Sequence, residues 1–140
     1  MEKIFEDEFM DLQADFVWLS MEALGDFADE IYIYISNELT SHMFHTFCKV
    51  KGKVKALHEL GLPQALISEL LHLGTSDIDK INALCNKYNM PAPCELKMHY
   101  YVRTRKFEAK YKYEPVCSSK MEAHTYDIFK AWVQEIKDQG

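Results

Sequence analysis

Carboxylates and one tryptophan give the first 24 residues the clearest chemistry in this sequence. Asp7, Asp11 and Asp15 recur every four residues, and Glu22 follows two helical turns later. In a helix this spacing places their side chains on one side, together with Trp18. Paired carboxylates can act as acid and base, but little would raise a pKa on a convex, solvated helix surface. The pattern therefore favours a binding surface over a catalytic one.

The acidic residues are concentrated at one end of the chain. Eleven of the 22 carboxylates, but only one of the 16 lysines and arginines, lie in residues 1–48, so this segment carries a charge of −10 and the remainder +4. Such an asymmetry indicates a basic partner. Asp26 follows a helix cap expected at Gly25 and extends the acidic group. The predicted binding residues are Asp7, Asp11, Asp15, Trp18, Glu22 and Asp26.

The histidines and cysteines raise the question of a metal site or a thiol nucleophile. His42 and His45 are three apart in a predicted strand, so their side chains are expected on opposite faces. Zinc sites use paired ligands at short spacing, and the four cysteines form no CxxC pair. The motifs GxSxG, HExxH, GxGxxG and the P-loop do not occur. We therefore expect no enzymatic activity, no metal ion and no cofactor.

Length and composition are typical of one folded domain. With 140 residues, of which 48% are hydrophobic, the chain can bury a core of its own. No segment approaches the roughly 18 consecutive apolar residues of a membrane helix, and the acidic beginning is unlike a secretory signal. We expect a single cytoplasmic domain over residues 1–140, with reduced cysteines and no membrane partner.

The acidic residues fall in the first of several predicted elements. Helical periodicity predicts helices at residues 3–24, 63–74, 75–88 and 122–137. β-Branched and aromatic residues predict strands at 30–36, 42–50, 54–57, 95–103 and 107–113. Gly74 is expected to end the second helix, and Thr75 begins the N-cap of the third. The order α-βββ-αα-ββ-α indicates an α+β fold with an antiparallel sheet of about five strands.

Four features of the sequence resemble one known family. They are an aromatic strand at residues 31–34, a Lys-Gly turn at 51–53, a late strand of the form Lys-Phe-x-x-x-Tyr-x-Tyr-Glu at 106–114, and a C-terminal helix with Trp132. These features are similar to those of the YezG-like immunity proteins, bacterial antitoxins that neutralise polymorphic toxins, often nucleases. The chain departs from the family pattern at residues 103–105, which lack a glycine, and at 94–95, which lack a tryptophan.

The resemblance implies a non-catalytic protein that binds a cognate toxin domain and blocks it. A nuclease must present a cationic surface to its phosphates. Carboxylates on the first helix would cover such a surface and accelerate the encounter, and Trp18 would be the anchor that loses its water. The acidic residues predict a basic partner, and the resemblance implies that this partner is a toxin domain and the chain an immunity protein.

An alternative from another class uses the hairpin at residues 101–113. Its tyrosines could stack on bases while its lysines and arginines hold phosphates, as in a small nucleic-acid-binding or regulatory domain. The net charge of −6 disfavours nucleic acid as a partner. The sequence also allows a homodimer, because the strand at 107–113 could lie at a sheet edge and pair with a second copy.

Overall fold

The computed structural model describes residues 4–25, 27–38, 41–113 and 125–139. These residues form three α-helices, namely α1 (Phe5–Leu24), α2 (Gln64–Lys87) and α3 (Thr125–Gln139). They also form five strands, namely β1 (Glu30–Glu38), β2 (Ser41–Val50), β3 (Lys53–Ala56), β4 (Glu95–Tyr101) and β5 (Phe107–Lys112). A short 3-10 helix (Leu57–Glu59) follows β3. The predicted α+β class is confirmed.

The strands form one antiparallel sheet in the order β3-β2-β1-β4-β5. The central strand β1 pairs with both β2 and β4, and β5 is at an edge. The turn between β2 and β3 has Lys51 at φ 53° and Gly52 at φ 80°. Two successive left-handed residues are typical of a tight hairpin turn, so the hairpin predicted at residues 51–53 is confirmed.

The two sides of the sheet are covered by different helices. Helices α1 and α2 pack on the side to which Ile31, Ile33 and Ile35 point, which we call the helix-pair side. Helix α3 packs on the other side, against Tyr32 and Tyr34, which we call the α3 side. Strand β1 is therefore buried on both faces, and the sheet is the middle of three layers.

Helix α2 is one continuous helix of 24 residues where two helices were predicted. Gly74 is buried inside it, and a Cβ atom at this position would overlap the ring of Phe44. The Thr75 hydroxyl donates to the carbonyl of Leu71 at 2.7 Å, which is a bond within a helix and not a cap. The helix end predicted at Gly74 is wrong. The absence of a side chain at this position lets α2 pack closely against β2.

The other boundaries differ from the predictions by a few residues. Strand β1 continues to Glu38, two residues past its predicted end, and β4 ends at Tyr101. The turn after β4 contains Arg105 at φ 62°. The start predicted for the last helix at Glu122 lies outside the described residues, and α3 ends at Gln139. None of the described helices combines the length and apolar character that crossing a membrane requires.

Candidate protein-binding surface

The outer side of α1 carries the predicted acidic residues. Asp7, Asp11, Asp15 and Glu22 are all exposed, as the helical spacing predicts. Trp18 lies among them with 66% of its surface exposed. The opposite side of the helix is buried in the core of the helix-pair side. The sixth predicted residue, Asp26, lies outside the described residues.

An apolar groove runs beside Trp18. Its volume is about 210 Å³, and it is lined by Met10, Ala14, Val17, Trp18 and Met21 of α1 together with Tyr100 of β4 and Phe107 of β5. Trp18 forms one rim, so it borders the acidic side chains on one flank and the groove on the other. Such an arrangement offers a partner both charge and a desolvated apolar contact.

Contacts with the last two strands hold α1 in place along the groove. The hydroxyl of Tyr111 on β5 donates to Oε1 of Gln13 at 2.7 Å. The Tyr111 ring meets Phe9 edge-on, with centroids 5.7 Å apart. Burial raises the pKa of the Tyr111 phenol, so the hydroxyl stays protonated and able to donate. These contacts fix the distance between α1 and β5 that leaves the groove open.

The first turn of α1 is fixed at the far end of α2. Glu8 accepts a hydrogen bond from the Tyr88 hydroxyl, and the Lys87 ammonium lies 3.4 Å from its Oε1. The ring of Phe5 contacts Tyr88 edge-on, with centroids 5.7 Å apart. With both its first turn and its middle anchored, α1 presents its outer side as a rigid surface, which lowers the entropic cost of binding.

Asp29 is another carboxylate of the acidic N-terminal segment, and its role is structural. Its Oδ2 accepts the backbone N–H of Lys51 at 2.6 Å. Its own N–H donates to the carbonyl of Lys49 at 2.8 Å. Asp29 thus stabilises the turn between β2 and β3, and the acidic surface described here consists of the α1 side chains.

A second, polar pocket lies on the α3 side of the sheet and was not predicted from the sequence. Its volume is about 390 Å³, and its lining includes Glu30, Tyr32, Lys49 and His99. Glu30 Oε1 lies 2.6 Å from Nε2 of His99 and accepts the Tyr32 hydroxyl at 3.3 Å. Burial, and then the Glu30 charge, raise the pKa of Tyr32 above its usual value.

The side chains that line the polar pocket contact one another. The rings of Tyr32 and Tyr101 stack on the two faces of His99, each with centroids 4.2 Å away. Lys49 lies 3.9 Å from Glu30. A histidine beside a carboxylate can relay a proton, but the described lining contains no serine, threonine or cysteine to activate. We therefore interpret this cluster as structural.

Two tyrosines of the basic hairpin, Tyr101 and Tyr111, contact other side chains of the protein, whereas Tyr113 is 55% exposed. Tyr101 stacks on His99, and the Lys106 ammonium lies 5.4 Å from its ring centroid. Tyr111 packs on α1, as described above, while Lys106 pairs with Glu108 at 3.1 Å. A base would have to displace these contacts before it could stack on Tyr101 or Tyr111, so of these three tyrosines only Tyr113 offers an open ring to the nucleic-acid alternative.

The histidines and cysteines do not form a site in the described part of the chain. His42 pairs with Asp79 of α2 at 3.6 Å, whereas His45 stacks on Phe129 of α3 at 4.3 Å, so their predicted opposite orientation is confirmed. Among the described residues, no three side chains of the types that bind metals are arranged to hold an ion. Burial raises the pKa of the Cys48 thiol to about 11, which keeps it protonated and unreactive.

Five of the seven residues that line the groove belong to α1, and their spacing is visible in the sequence. Met10, Ala14, Val17 and Met21 recur at spacings of four, three and four, which is a second apolar stripe next to the core-facing one. The other two are Tyr100 and Phe107, and only the pairing of β4 with β5 brings them together beside α1.

No model of a known protein family matches the sequence, and no curated protein matches it either. The likeness to YezG-like immunity proteins therefore rests on the four sequence features given above.

Proposed function

We propose that this chain is an immunity protein that binds a basic toxin domain through the outer side of α1 and blocks it without catalysis. The observation that carries this proposal is Trp18, a large apolar side chain with 66% of its surface exposed between acidic residues and an apolar groove. The partner chemistry that fits is a cationic active-site cleft, such as that of a nuclease.

Trp18 supplies the apolar part of the proposed contact. Tryptophan is among the residues most enriched at binding hot spots, where it fills a pocket and loses its water. Here the ring forms one rim of the groove beside Met10, which is itself 49% exposed. A partner side chain inserted into the groove would cover both residues together.

The carboxylates supply the complementary charge. Asp7, Asp11, Asp15 and Glu22 lie on the same exposed side of α1 as Trp18, and the proposed cleft carries the opposite sign. Charges at the rim of an interface mainly raise the association rate and exclude wrong partners. We therefore expect the carboxylates to raise the association rate and Trp18 to lower the dissociation rate.

The proposed class is tested by co-expression with candidate toxin domains, beginning with the product of the adjacent gene. Rescue of growth, followed by isolation of a stable complex, is the expected result. If no candidate toxin is neutralised and no complex forms with any of them, the immunity function is wrong.

The proposed surface is tested by binding kinetics with the neutralised toxin. Trp18→Ala should raise the dissociation rate and cost about 2 kcal/mol or more of binding free energy. The double reversal Asp11→Lys with Asp15→Lys should lower the association rate, most strongly at low salt. Unchanged kinetics in both variants would show that the toxin binds elsewhere.

Matched controls lie on α3, on the other side of the sheet. Tyr126→Ala removes an aromatic side chain that is 47% exposed there. Asp127→Lys with Asp138→Lys changes the net charge as much as the α1 reversal does, also at exposed positions. Both controls should leave the association and dissociation rates close to those of the native chain.

A further inference from the structure

A second apolar groove lies on the other flank of α1, between this helix and α2. Its volume is about 100 Å³, and its lining includes Leu19 and Ala23 of α1 and Leu66, Leu70 and Leu73 of α2. We call it the leucine groove. Leu66 and Leu73 are exposed to solvent, although leucine is a large apolar side chain. The exposed acidic side of α1 therefore lies between two apolar grooves.

Two carboxylates border the leucine groove, one from each helix. They are Glu22 of α1 and Glu69 of α2, and both residues are exposed. The described lining contains no lysine or arginine. Neither carboxylate forms an ion pair with another residue in the described part of the chain. Two like charges beside one groove repel each other, and a cation placed between them would relieve this repulsion.

The other end of the same helix pair contains its own cations. There, Lys80 of α2 lines a shallow pocket with Glu8 and Leu84, and the Lys87 ammonium lies 3.4 Å from Oε1 of Glu8. At the leucine groove, α2 offers the carboxylate of Glu69 in place of a lysine. A cation at the leucine groove therefore has to come from outside the two helices.

We propose that the leucine groove binds an arginine side chain of a basic partner, with the aliphatic stem on the leucines and the guanidinium between Glu22 and Glu69. A slender stem suits the small volume, because a cavity that holds a benzene ring measures roughly 150 Å³. The guanidinium presents five N–H donors in a planar fork and can reach two carboxylates, whereas a lysine ammonium is a compact point charge. The inference rests on the proposed function, since it assigns this arginine to the toxin domain that contacts Trp18.

The proposed contact places the partner on both flanks of α1. Trp18 and the first groove are covered on one flank, and the leucine groove is filled on the other. An arginine that serves a cationic cleft binds phosphate through the same N–H groups that the two carboxylates would occupy. Binding in the leucine groove would therefore withdraw this arginine from the phosphates of the toxin's substrate.

The leucine groove can be tested without a toxin. The probe is N-acetylarginine amide, and the matched probe is N-acetylcitrulline amide, which has nearly the same shape but no charge. Titration of the full isotope-labelled chain with the arginine probe should shift the backbone amide signals of residues 19–23 and 66–73, with a dissociation constant in the millimolar range. The citrulline probe should bind at least about fivefold more weakly. Equal shifts from the two probes, or no shift at these residues, would overturn the proposal.

A single charge variant tests the position of the guanidinium. Glu69→Gln keeps the size of the side chain and lies on α2, outside the α1 residues assigned to toxin binding. It should weaken binding of the arginine probe at least about fivefold. Glu135→Gln removes the same charge at an exposed position of α3, on the other side of the sheet, and should leave this binding unchanged. Equal affinity of the native chain and Glu69→Gln for the probe would contradict the proposal.

Binding kinetics with the neutralised toxin separate this inference from the proposed function. Glu69→Gln should raise the dissociation constant of the complex about tenfold, and Leu73→Ala should raise it by removing contacts with the stem. If Trp18→Ala weakens the complex while Glu69→Gln and Leu73→Ala do not, the toxin binds α1 but the inference is wrong. If no toxin is neutralised, the proposed function is wrong, and a leucine groove that still prefers the arginine probe to the citrulline probe receives its arginine from a partner of another class.

Discussion

The two tryptophans of this chain lie on two helices and in opposite environments. Trp132 on α3 is 8% exposed and meets Tyr32 and Phe47 edge-on, with centroids 5.7 and 5.2 Å away. Trp18 on α1 is 66% exposed, although α1 packs its other side into the core. Trp132 therefore holds a layer of the fold together, whereas Trp18 contributes little to the core and remains available to a partner.

The sides of the sheet on which these helices pack also differ in chemistry. The core of the helix-pair side consists mainly of aliphatic and phenylalanine side chains. The α3 side combines aromatic rings with polar side chains, including His45, Glu95 and His99. The buried Glu95 carboxylate, for example, accepts the Tyr34 hydroxyl at 2.6 Å. The α3 side should respond to pH through His45, whose pKa is lowered by burial, and the helix-pair side should respond to changes in side-chain volume.

Replacing each tryptophan in turn tests this comparison. It is expected to give the largest difference in the free energy of unfolding. Trp132→Ala should lower the free energy of unfolding by about 3–5 kcal/mol, because it leaves a cavity among packed rings. Trp18→Ala should change it by less than about 0.5 kcal/mol, as for other surface substitutions. Urea denaturation measures both values. Similar losses in the two variants would mean that Trp18 is part of the core.

A substitution at Gly74 tests how tightly the helix-pair side is packed. Gly74→Ala should lower the free energy of unfolding by about 1–3 kcal/mol, because its Cβ would meet the Phe44 ring, and the gain in helix propensity offsets only part of this. Ser76→Ala, at an exposed position of the same helix, is the matched control and should be neutral or slightly stabilising. A stabilising Gly74→Ala would contradict the close approach of α2 to β2.

The smallest expected effect concerns the pH response of the α3 side. Burial lowers the pKa of His45, so this histidine stays neutral in the folded protein while the unfolded chain binds a proton. The free energy of unfolding should therefore fall as the pH drops below about 6.5, until the lowered folded pKa is passed.

Two histidine variants assign this pH response to one side of the sheet. His45→Phe should flatten the dependence between neutral and mildly acidic pH. His42→Gln, on the helix-pair side, should leave the contribution of His45 in place. Urea midpoints measured across this pH range give the comparison, and equal slopes in the native chain and His45→Phe would contradict it.

Much of the fold could be predicted from local patterns, and the misses have physical causes. The periodicity of α1 predicted which side is exposed, because apolar residues recur on the core-facing side in every turn and polar residues on the other. Gly74 misled the prediction, since a glycine that ends a helix and one that permits close packing look alike in the sequence. Only the packing of α2 against Phe44 of β2 shows which of the two roles Gly74 has.

The candidate site could be predicted only in part for the same reason. The acidic residues and Trp18 belong to one helix, so their common orientation follows from sequence spacing. The groove and the polar pocket combine residues of elements that are distant in the chain, such as Glu30 and His99. Pairing between distant strands depends on the whole packed sheet, and no local pattern specifies it.

The central position of β1 has a consequence for the order in which the chain folds. Ile31 pairs with Cys48 on one side and with Tyr100 on the other, so one partner follows almost at once and the other much later in the chain. At about 5–20 residues per second, a ribosome leaves the second edge of β1 open for several seconds. We expect β1 and β2 to acquire amide protection before β4 and β5, which pulsed hydrogen exchange during refolding would test. The groove beside Trp18 would then be completed last, after the core that supports it.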